Sequence, residues 1–282
     1  MNRSDEIRKQ VAESYTQAVR ETAGGSCCGG GAVPPGTAAK LAGYTSAQLE
    51  ALPRDAVVSS FGCGNPVAFA EVRPGDVVVD LGSGAGIDIL LAGKKVGPTG
   101  RVIGVDMTEE MIARARANIA AAGLTNVEVR RGVIEELPVE SSSVDWVISN
   151  CVINLSPEKD RVFREIARVL KPGGRMLVSD IMVQDLPDWA RESAALYSSC
   201  IGGAIAEEAY LAGLRAAGLD EVEVRERLIY DGPQLLALAG AGIDRTASCC
   251  GGPVDPKVAA GVAEALAGKI WSAKVHARRR VG

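Results

Sequence analysis

Two kinds of residue in this 282-residue chain could do chemistry, and the pairing of them is informative. One is cysteine, seven times over, at 27, 28, 63, 151, 200, 249 and 250, two of these being vicinal pairs, beside a single histidine. The other is the run VVVDLGSGAGIDILLA at residues 77–92, where Gly82, Gly84 and Gly86 follow a β-type stretch. Thiolates are soft nucleophiles and soft-ion ligands. A glycine-rich strand-to-helix turn lets backbone approach a ligand closely with its N–H groups aimed outward. Together they suggest an enzyme that uses a nucleotide-bearing cofactor to transfer a group to a thiophilic atom.

The glycine loop discriminates between cofactors. Dinucleotide binders use G-x-G-x-x-G; here the third glycine comes one place early, and Ile87 occupies the expected slot. Asp80 stands at the end of the strand, where a carboxylate would repel a pyrophosphate but suit an ammonium or sulfonium cation. Asp106, 20 residues beyond Gly86 at the end of the next strand, is placed to accept hydrogen bonds from a ribose diol. The D-x-G-x-G-x-G form therefore favours S-adenosylmethionine over NAD, with a merely tight turn as the alternative.

The thiols differ in setting. Asn150-Cys151 lies just past the strand WVISN, and ligands of open α/β sheets bind outside the carboxyl ends of the strands, so this thiol should face the same crevice as the glycine loop. Cys200, in YSSCIGGA, fits a cover over that crevice, and Cys63 sits in the glycine-punctuated turn FGCGNP. Cys27-Cys28 is flanked by glycines and cannot be core; Cys249-Cys250, in SCCGGP, is similar. For Cys151 and Cys200 the alternative role is that of a small buried hydrophobe. There is no C-x-x-C, and His276 falls in a tail strand where exposure is expected, so a structural zinc site is not. Scattered soft thiolates suit a trigonal soft ion gathered from several loops.

The elements that must position these groups read as α/β. Residues 1 to about 22 pattern as a polar helix carrying Ile7, Val11, Tyr15 and Val19. From Asp76 onward, strands DVVVDLG, RVIGVDM, VEVRRG, WVISN and RMLVSD alternate with helices. Thr108 reads as an N-cap, Ser156-Pro157 as a helix opening and KPGG as a helix stop, the stripe between them being Val162, Phe163, Ile166, Val169 and Leu170. This order predicts a doubly wound parallel sheet with N- and C-terminal cysteine-bearing additions, closed by VEVRERLIY and IWSAKVHARRR as a terminal antiparallel pair. Three regions are expected: an arm over 1–60, a cofactor-binding α/β domain over 61–182, and a cover completing the sheet over 183–282. With 31 basic against 35 acidic residues there is no footprint for nucleic acid. Without a signal peptide or a run of about 18 apolar residues, a cytoplasmic, membrane-free monomer is expected.

On these residues the chain resembles the arsenite S-adenosylmethionine methyltransferases. The runs that carry the resemblance are FGCGNPVA, DLGSGAGID, VGPTGRVIGVDMTEEMI, ISNCVINLSPEKDRVFREIARVLKPGGRM and CIGGA, and it is densest between Phe61 and Gly203. The resemblance implies the class I, Rossmann-like methyltransferase fold. It implies that Cys63, Cys151 and Cys200 hold As(III) as thiolates, with Cys27 or Cys28 acting in substrate entry or in a disulfide with Cys63. Asp80, Gly82, Gly84, Asp106 and Met107 would line the cofactor site with Ser83, Gly86 and Asn150, and Ile134 and Glu135 would lie near the adenine. Phe61 stands where the family often has tyrosine.

As(III) on three thiolates has a lone pair and no proton to lose, so the scarcity of histidine is tolerable, whereas methylating oxygen or nitrogen usually needs a base. Methyl transfer formally oxidises arsenic; cysteines can return electrons by forming a disulfide, which glutathione or a thioredoxin-type reductant would reset. Arsenite or its thiol conjugates would be the substrate. Two other readings stay open: a methyltransferase of an organic small molecule such as a quinone precursor, and a non-enzymatic thiol sensor of metalloids or redox state.

Overall fold

The stretch 77–81 is apolar on both faces, which only a strand covered on both sides can bury. In the computed structural model it is β1 (Val77–Leu81), buried from Val78 onward. The structure describes residues 3–23, 39, 43–58, 64–232, 235 and 256–281; Cys27, Cys28, Phe61, Cys63, Cys249 and Cys250 lie outside them. Helices α1 (Arg3–Ala23), α2 (Ser46–Glu50), α3 (Arg54–Val58) and α4 (Pro66–Phe69) precede β1. Then come α5 (Ile87–Val96), β2 (Arg101–Asp106), α6 (Glu109–Ala121), β3 (Val127–Arg131) and β4 (Val144–Asn150). A 3-10 turn at Ile153–Leu155 leads into α7 (Lys159–Val169) and β5 (Leu170–Val183). The chain continues through α8 (Asp188–Glu192), α9 (Ala194–Ser198), α10 (Glu207–Ala216), β6 (Leu219–Ile229), α11 (Pro256–Leu266) and β7 (Ile270–Arg279).

The seven strands form one sheet in the order β3-β2-β1-β4-β5-β7-β6. The first five are parallel, and β7 runs antiparallel between β5 and β6, the expected terminal pair. Strand order reverses between β1 and β4, whose carboxyl ends lie in register, Leu81 opposite Ser149. Such a switch point opens a crevice, and here it is flanked by the glycine loop and by Asn150-Cys151. One face of the sheet is covered by α5 and α6, through Leu90, Ile112 and Ile119 among others, and the other by α7 and α10. Phe163 of α7 and Tyr210 of α10 meet edge to face, with centroids 5.0 Å apart. A third cluster joins Val11 of α1, with Ile7 and Tyr15 beside it, to Cys151, Leu155 and Cys200. The amphipathic N-terminal helix therefore packs on the thiol turns.

KPGG stops α7 as expected, the helix ending at Val169, and itself lies inside β5, where Gly173 takes φ +78° and the β4–β5 register shifts between Val144 and Trp146. Breaker residues here bend a strand by a bulge. Helix α7 opens at Lys159 instead of Ser156-Pro157, because the Ser156 hydroxyl is used in a turn, accepting from Glu158 N at 3.0 Å. Thr108 holds the N-cap position with extended backbone but makes no side-chain cap; its N–H donates to Asp106 instead. His276 is 3% exposed, not solvent-facing, since β7 is an interior strand between Leu177 and Glu223. Burial lowers its pKa.

Candidate active site

Beyond β1 the chain must turn sharply, and Gly82 makes the turn at φ +66°. A Cβ there would fall 2.1 Å from Val152 Cγ2, so only glycine fits between the cofactor loop and the thiol turn. Gly82 N and Ser83 N both donate to Val105 O, at 2.8 and 3.1 Å, tying the loop to β2. Gly84, at φ +52°, donates its N–H to Asp106 Oδ2 at 2.9 Å and would have open space at its Cβ, which faces a cleft. Asp106 Oδ1 accepts from Thr108 N at 2.8 Å. The Met107 backbone and the Thr108 side chain add further hydrogen bonds to this carboxylate.

The cleft is open to solvent and, counting its mouth, spans about 920 Å³ of non-protein space. Residues 82–88 form its floor, Asp106, Met107 and Met111 one side, and Gly132 to Glu135 the far wall. Asn150, Val152, Leu155 and Ser156 close it on the thiol side, and Arg8, Val11 and Tyr15 of α1 lie across it. Glu135 is buried, accepting from Ser156 Oγ at 2.6 Å and from Arg8 Nε at 3.2 Å. Arg8 also pairs with Glu158, so one guanidinium anchors α1 to both edges of the cleft.

Three carboxylates gather at the floor. Asp80 is 2% exposed and its Oδ1 has no hydrogen-bond partner among the described residues; Ser83 Oγ is likewise unpartnered. Burial, reinforced by Asp88 and Asp106, raises the Asp80 pKa well above the carboxylate range. Burial lifts Asp88 to about 6, against the donors Tyr44 Oη and Asn150 Nδ2. Asp106 is also raised by burial, with its backbone donors opposing. Among the described residues none of the three has a Lys or Arg partner within ion-pair distance. A buried anionic cluster with an orphaned acceptor is complementary to a cation.

The thiol side abuts this floor. Cys151 and Cys200 are 3% and 1% exposed, and both sit in the left-handed region, φ +60° and +66°. Left-handed backbone is costly for residues with a side chain and clusters at functional sites. Cys200 Sγ donates to Cys151 O at 2.7 Å, bringing the two turns together. Cys151 is disulfide-bonded, while Cys200 carries a thiol. Behind them, Lys159 Nζ donates to the carbonyls of Asn154 and Ser156, and burial lowers its pKa to about 8. Asp180 accepts from Asn154 Nδ2 and Ile181 N, and burial pushes it up to about 7.

Of the residues expected at the cofactor site, Gly82, Ser83, Gly84, Gly86, Asp106, Met107, Ile134, Glu135 and Asn150 line the cleft, and Asp80 is buried near Asp88 and Asp106 without itself lining it. Sequence reasoning missed Arg8, Tyr44, Asp88, Ser156 and Lys159. The carboxylate of DLGSGAGID at Asp88 was a usable signal; Arg8, Tyr44 and Ser156 are joined to the site through contacts distant in sequence, and Lys159 through the nearby carbonyls of Asn154 and Ser156.

The fold and this cleft define a methyltransferase domain of the doubly wound class, whose cofactor is S-adenosylmethionine; residues 73–226, more than half of the chain, match the family model of a methyltransferase domain. Arsenite methyltransferase from Halobacterium salinarum is 43% identical over 233 residues, covering 78% of this chain and 59% of that one. The crystal structure of an arsenic(III) S-adenosylmethionine methyltransferase from Chlamydomonas reinhardtii superposes with a TM-score of 0.61 at 32% identity, covering 88% of this chain and 74% of that one. A demethylmenaquinone methyltransferase from Listeria monocytogenes is 34% identical over 119 residues, 42% of this chain. The chain belongs to the arsenite methyltransferase family. It spans less than two thirds of the length of the Halobacterium relative. The residues present fit the cofactor: the buried, unpartnered Asp80 oxygen beside Asp88 and Asp106 suits a cation, and Gly84 leaves room for a ligand. Among the described residues no helix is long and apolar enough to cross a membrane, and no cluster of three metal-ligating side chains occurs.

Proposed function

We propose that this chain methylates trivalent arsenic, with Cys63, Cys151 and Cys200 as the thiolate ligands. The observation that carries the reading is the meeting of two buried, left-handed cysteines beside the cofactor cleft, Cys200 Sγ lying 2.7 Å from Cys151 O. Cys63 lies outside the described residues, but Gly64, next to it in sequence, is held by Asn150, next to Cys151: Gly64 N donates to Asn150 Oδ1 at 3.0 Å.

Each thiol would replace one hydroxyl of arsenous acid, forming an As–S bond and releasing water. The cofactor supplies an electrophilic methyl group on a sulfonium. Asp80, with Asp88 and Asp106 near it, would hold the cofactor's positive charge, and Arg8 would keep α1 across the cleft to exclude water. Arsenic attacks with its lone pair, so no base is required of the protein; catalysis rests on holding the reacting atoms near contact. A disulfide on Cys151 would have to be reduced before arsenic could bind, a task suited to glutathione or a thioredoxin-type reductant. Cys27-Cys28 would serve as the relay for substrate or electrons. Detoxification of arsenic in the cytoplasm is the role this activity would serve.

The test is arsenic speciation. Reduced protein with S-adenosylmethionine, arsenite and thiol should yield methylated arsenicals on chromatography with arsenic-specific detection; inorganic arsenic alone would overturn the proposal. Cys151→Ser and Cys200→Ser should each abolish methylation while S-adenosylmethionine still binds. Wild-type rates in either would remove that residue from the ligand set.

A further inference from the structure

The turn after Cys151 meets the turn that carries Cys200 at two points, and on the Cys151 side both points are main-chain carbonyls. The first is Cys151 O, which accepts from Cys200 Sγ. The second is Asn154 O: a Cβ on Gly203 would fall 2.0 Å from it, so the turns touch backbone to backbone three residues beyond each cysteine. Gly203 has no positive φ, and close approach alone requires glycine there. Asn154 is fully buried. Its Nδ2 donates to Asp180 Oδ1 at 2.8 Å and to Ile181 O at 2.6 Å, fastening the turn to β5. Its carbonyl accepts from Lys159 Nζ at 3.3 Å, and the same ammonium takes Ser156 O at 2.9 Å. Asp180 is fixed in turn by Ile181 N at 3.0 Å and faces the buried Tyr210 hydroxyl, 3.4 Å away. The Cys200 turn is tied to β5 just beyond, Val183 N donating to Ile205 O at 3.3 Å. A buried ammonium is costly unless its hydrogen bonds are made. Among the described residues, those of Lys159 both go to carbonyls of the thiol turn.

We infer that Lys159, Asn154 and Asp180 are positioning residues, a brace that holds the Cys151 and Cys200 turns at the spacing where both thiols reach one arsenic atom. The brace takes its meaning from the proposed thiol ligands. Lys159 acts at the shared point, since the carbonyl it holds is the one on which Gly203 rests. Without the ammonium, the cross-link between Asn154 O and Ser156 O is lost, and the Asn154 carbonyl is free to rotate away from Gly203. Asp180 and Ile181 O hold the other end of the same residue, so the turn is gripped through both its backbone and its side chain. Two thiols already set at a working distance bind one atom more tightly than two that must first be brought together, because the ordering is done on folding. Partners that orient metal ligands carry about 10- to 100-fold in affinity, and the brace is expected to contribute on that scale.

The test reads capture of two thiols by one arsenic, without methyl transfer. In full-length protein with Cys27, Cys28, Cys63, Cys249 and Cys250 changed to Ser, only Cys151 and Cys200 remain. Phenylarsine oxide takes two thiols, forming two As–S bonds and releasing one water, with arsenic trivalent throughout. The reduced parent should bind one equivalent by mass spectrometry, its affinity being read by competition with dithiothreitol. Lys159→Met keeps the length and drops the ammonium, and should weaken capture by about 10-fold or more. Lys159→Arg keeps the charge and the N–H donors, and should retain most of it. Gly203→Ala leaves every polar group in place and pushes on Asn154 O, so it should weaken capture too, which covers a Lys159→Met protein that folds poorly. Iodoacetamide needs one thiol at a time and should alkylate Cys151 and Cys200 no faster in either variant than in the parent. Faster alkylation with weaker capture would mark mere loosening and overturn the brace. Capture at parental strength in Lys159→Met or Gly203→Ala overturns it as well. A parent that captures no arsenical refutes the pairing of Cys151 with Cys200, and the brace with it, so the two failures read differently.

Discussion

Replacing Gly64 by alanine adds one methyl group at the point where the Cys63 segment meets the sheet. The new Cβ would stand 1.9 Å from Ser179 Oγ and 2.5 Å from Ser179 Cβ. Carbon contacts settle near 3.5 Å, so relief needs a displacement of about 1.5 Å. Ser179 cannot yield cheaply: it is fully buried in β5, and its carbonyl accepts Cys151 N at 2.7 Å, so moving it moves a proposed arsenic ligand. Gly64 has no positive φ, which leaves sterics as the sole effect. Overpacking of this kind costs about 1–3 kcal/mol, and a misplacement of about 1 Å can cost about 100-fold in rate. Gly64→Ala should therefore lower arsenite methylation by about 100-fold, while cofactor affinity stays near wild type, because neither Gly64 nor Ser179 lines the cleft. Steady-state kinetics and calorimetry on the same preparation separate the two. Adding Ser179→Gly removes both clashing atoms and should restore most of the rate. Wild-type turnover in Gly64→Ala, or no recovery in the double variant, would refute the reasoning.

The other predictions concern the cofactor wall and stability. Gly82→Ala combines a left-handed φ with a Cβ 2.1 Å from Val152, so S-adenosylmethionine binding should be lost in calorimetry; unchanged affinity would contradict the loop's role. Arg8→Ala frees α1 from Glu135 and Glu158, and should speed cofactor dissociation in stopped flow while sparing the sheet, as far-UV circular dichroism would show. Asp180 holds its proton to about pH 7 when folded, against an ordinary carboxyl value of about 4. Between these values the folded state binds the proton and the unfolded chain does not, so stability falls as pH rises through that window, by up to about 4 kcal/mol. Asp180→Asn should flatten the slope in denaturant unfolding at pH 5 and 7.5, and an unchanged slope would reject it.

All seven strands can be read from the sequence because each is a buried apolar run or an alternating one, and the glycine loop with Asp80 and Asp106 is local enough to be read as a unit. What could not be read depends on partners far apart in the chain. Tyr44 reaches Asp88 across 44 residues and Asn150 across 106, and Arg8 reaches Glu135 across 127. No local pattern reports such bonds. KPGG correctly marks the end of α7, but not that its breakers are absorbed as a bulge where β4 and β5 slip in register, a property of the pair of strands. His276 looks exposed in a polar tail until β7 is seen to lie between two neighbours.

That interior place of β7 bears on how the protein is made. The sheet's β6 pairs with β7 alone, and β5 has β7 as its second neighbour, yet β7 is the last strand in the chain. During synthesis β5 and β6 must wait as unpaired edges while residues 230–269 are still being added. Unpaired edges invite pairing with other chains. The sheet therefore closes only after β7 emerges, and a ribosome stalled between residues 230 and 269 would release a chain in which the β5 and β6 edges are unpaired.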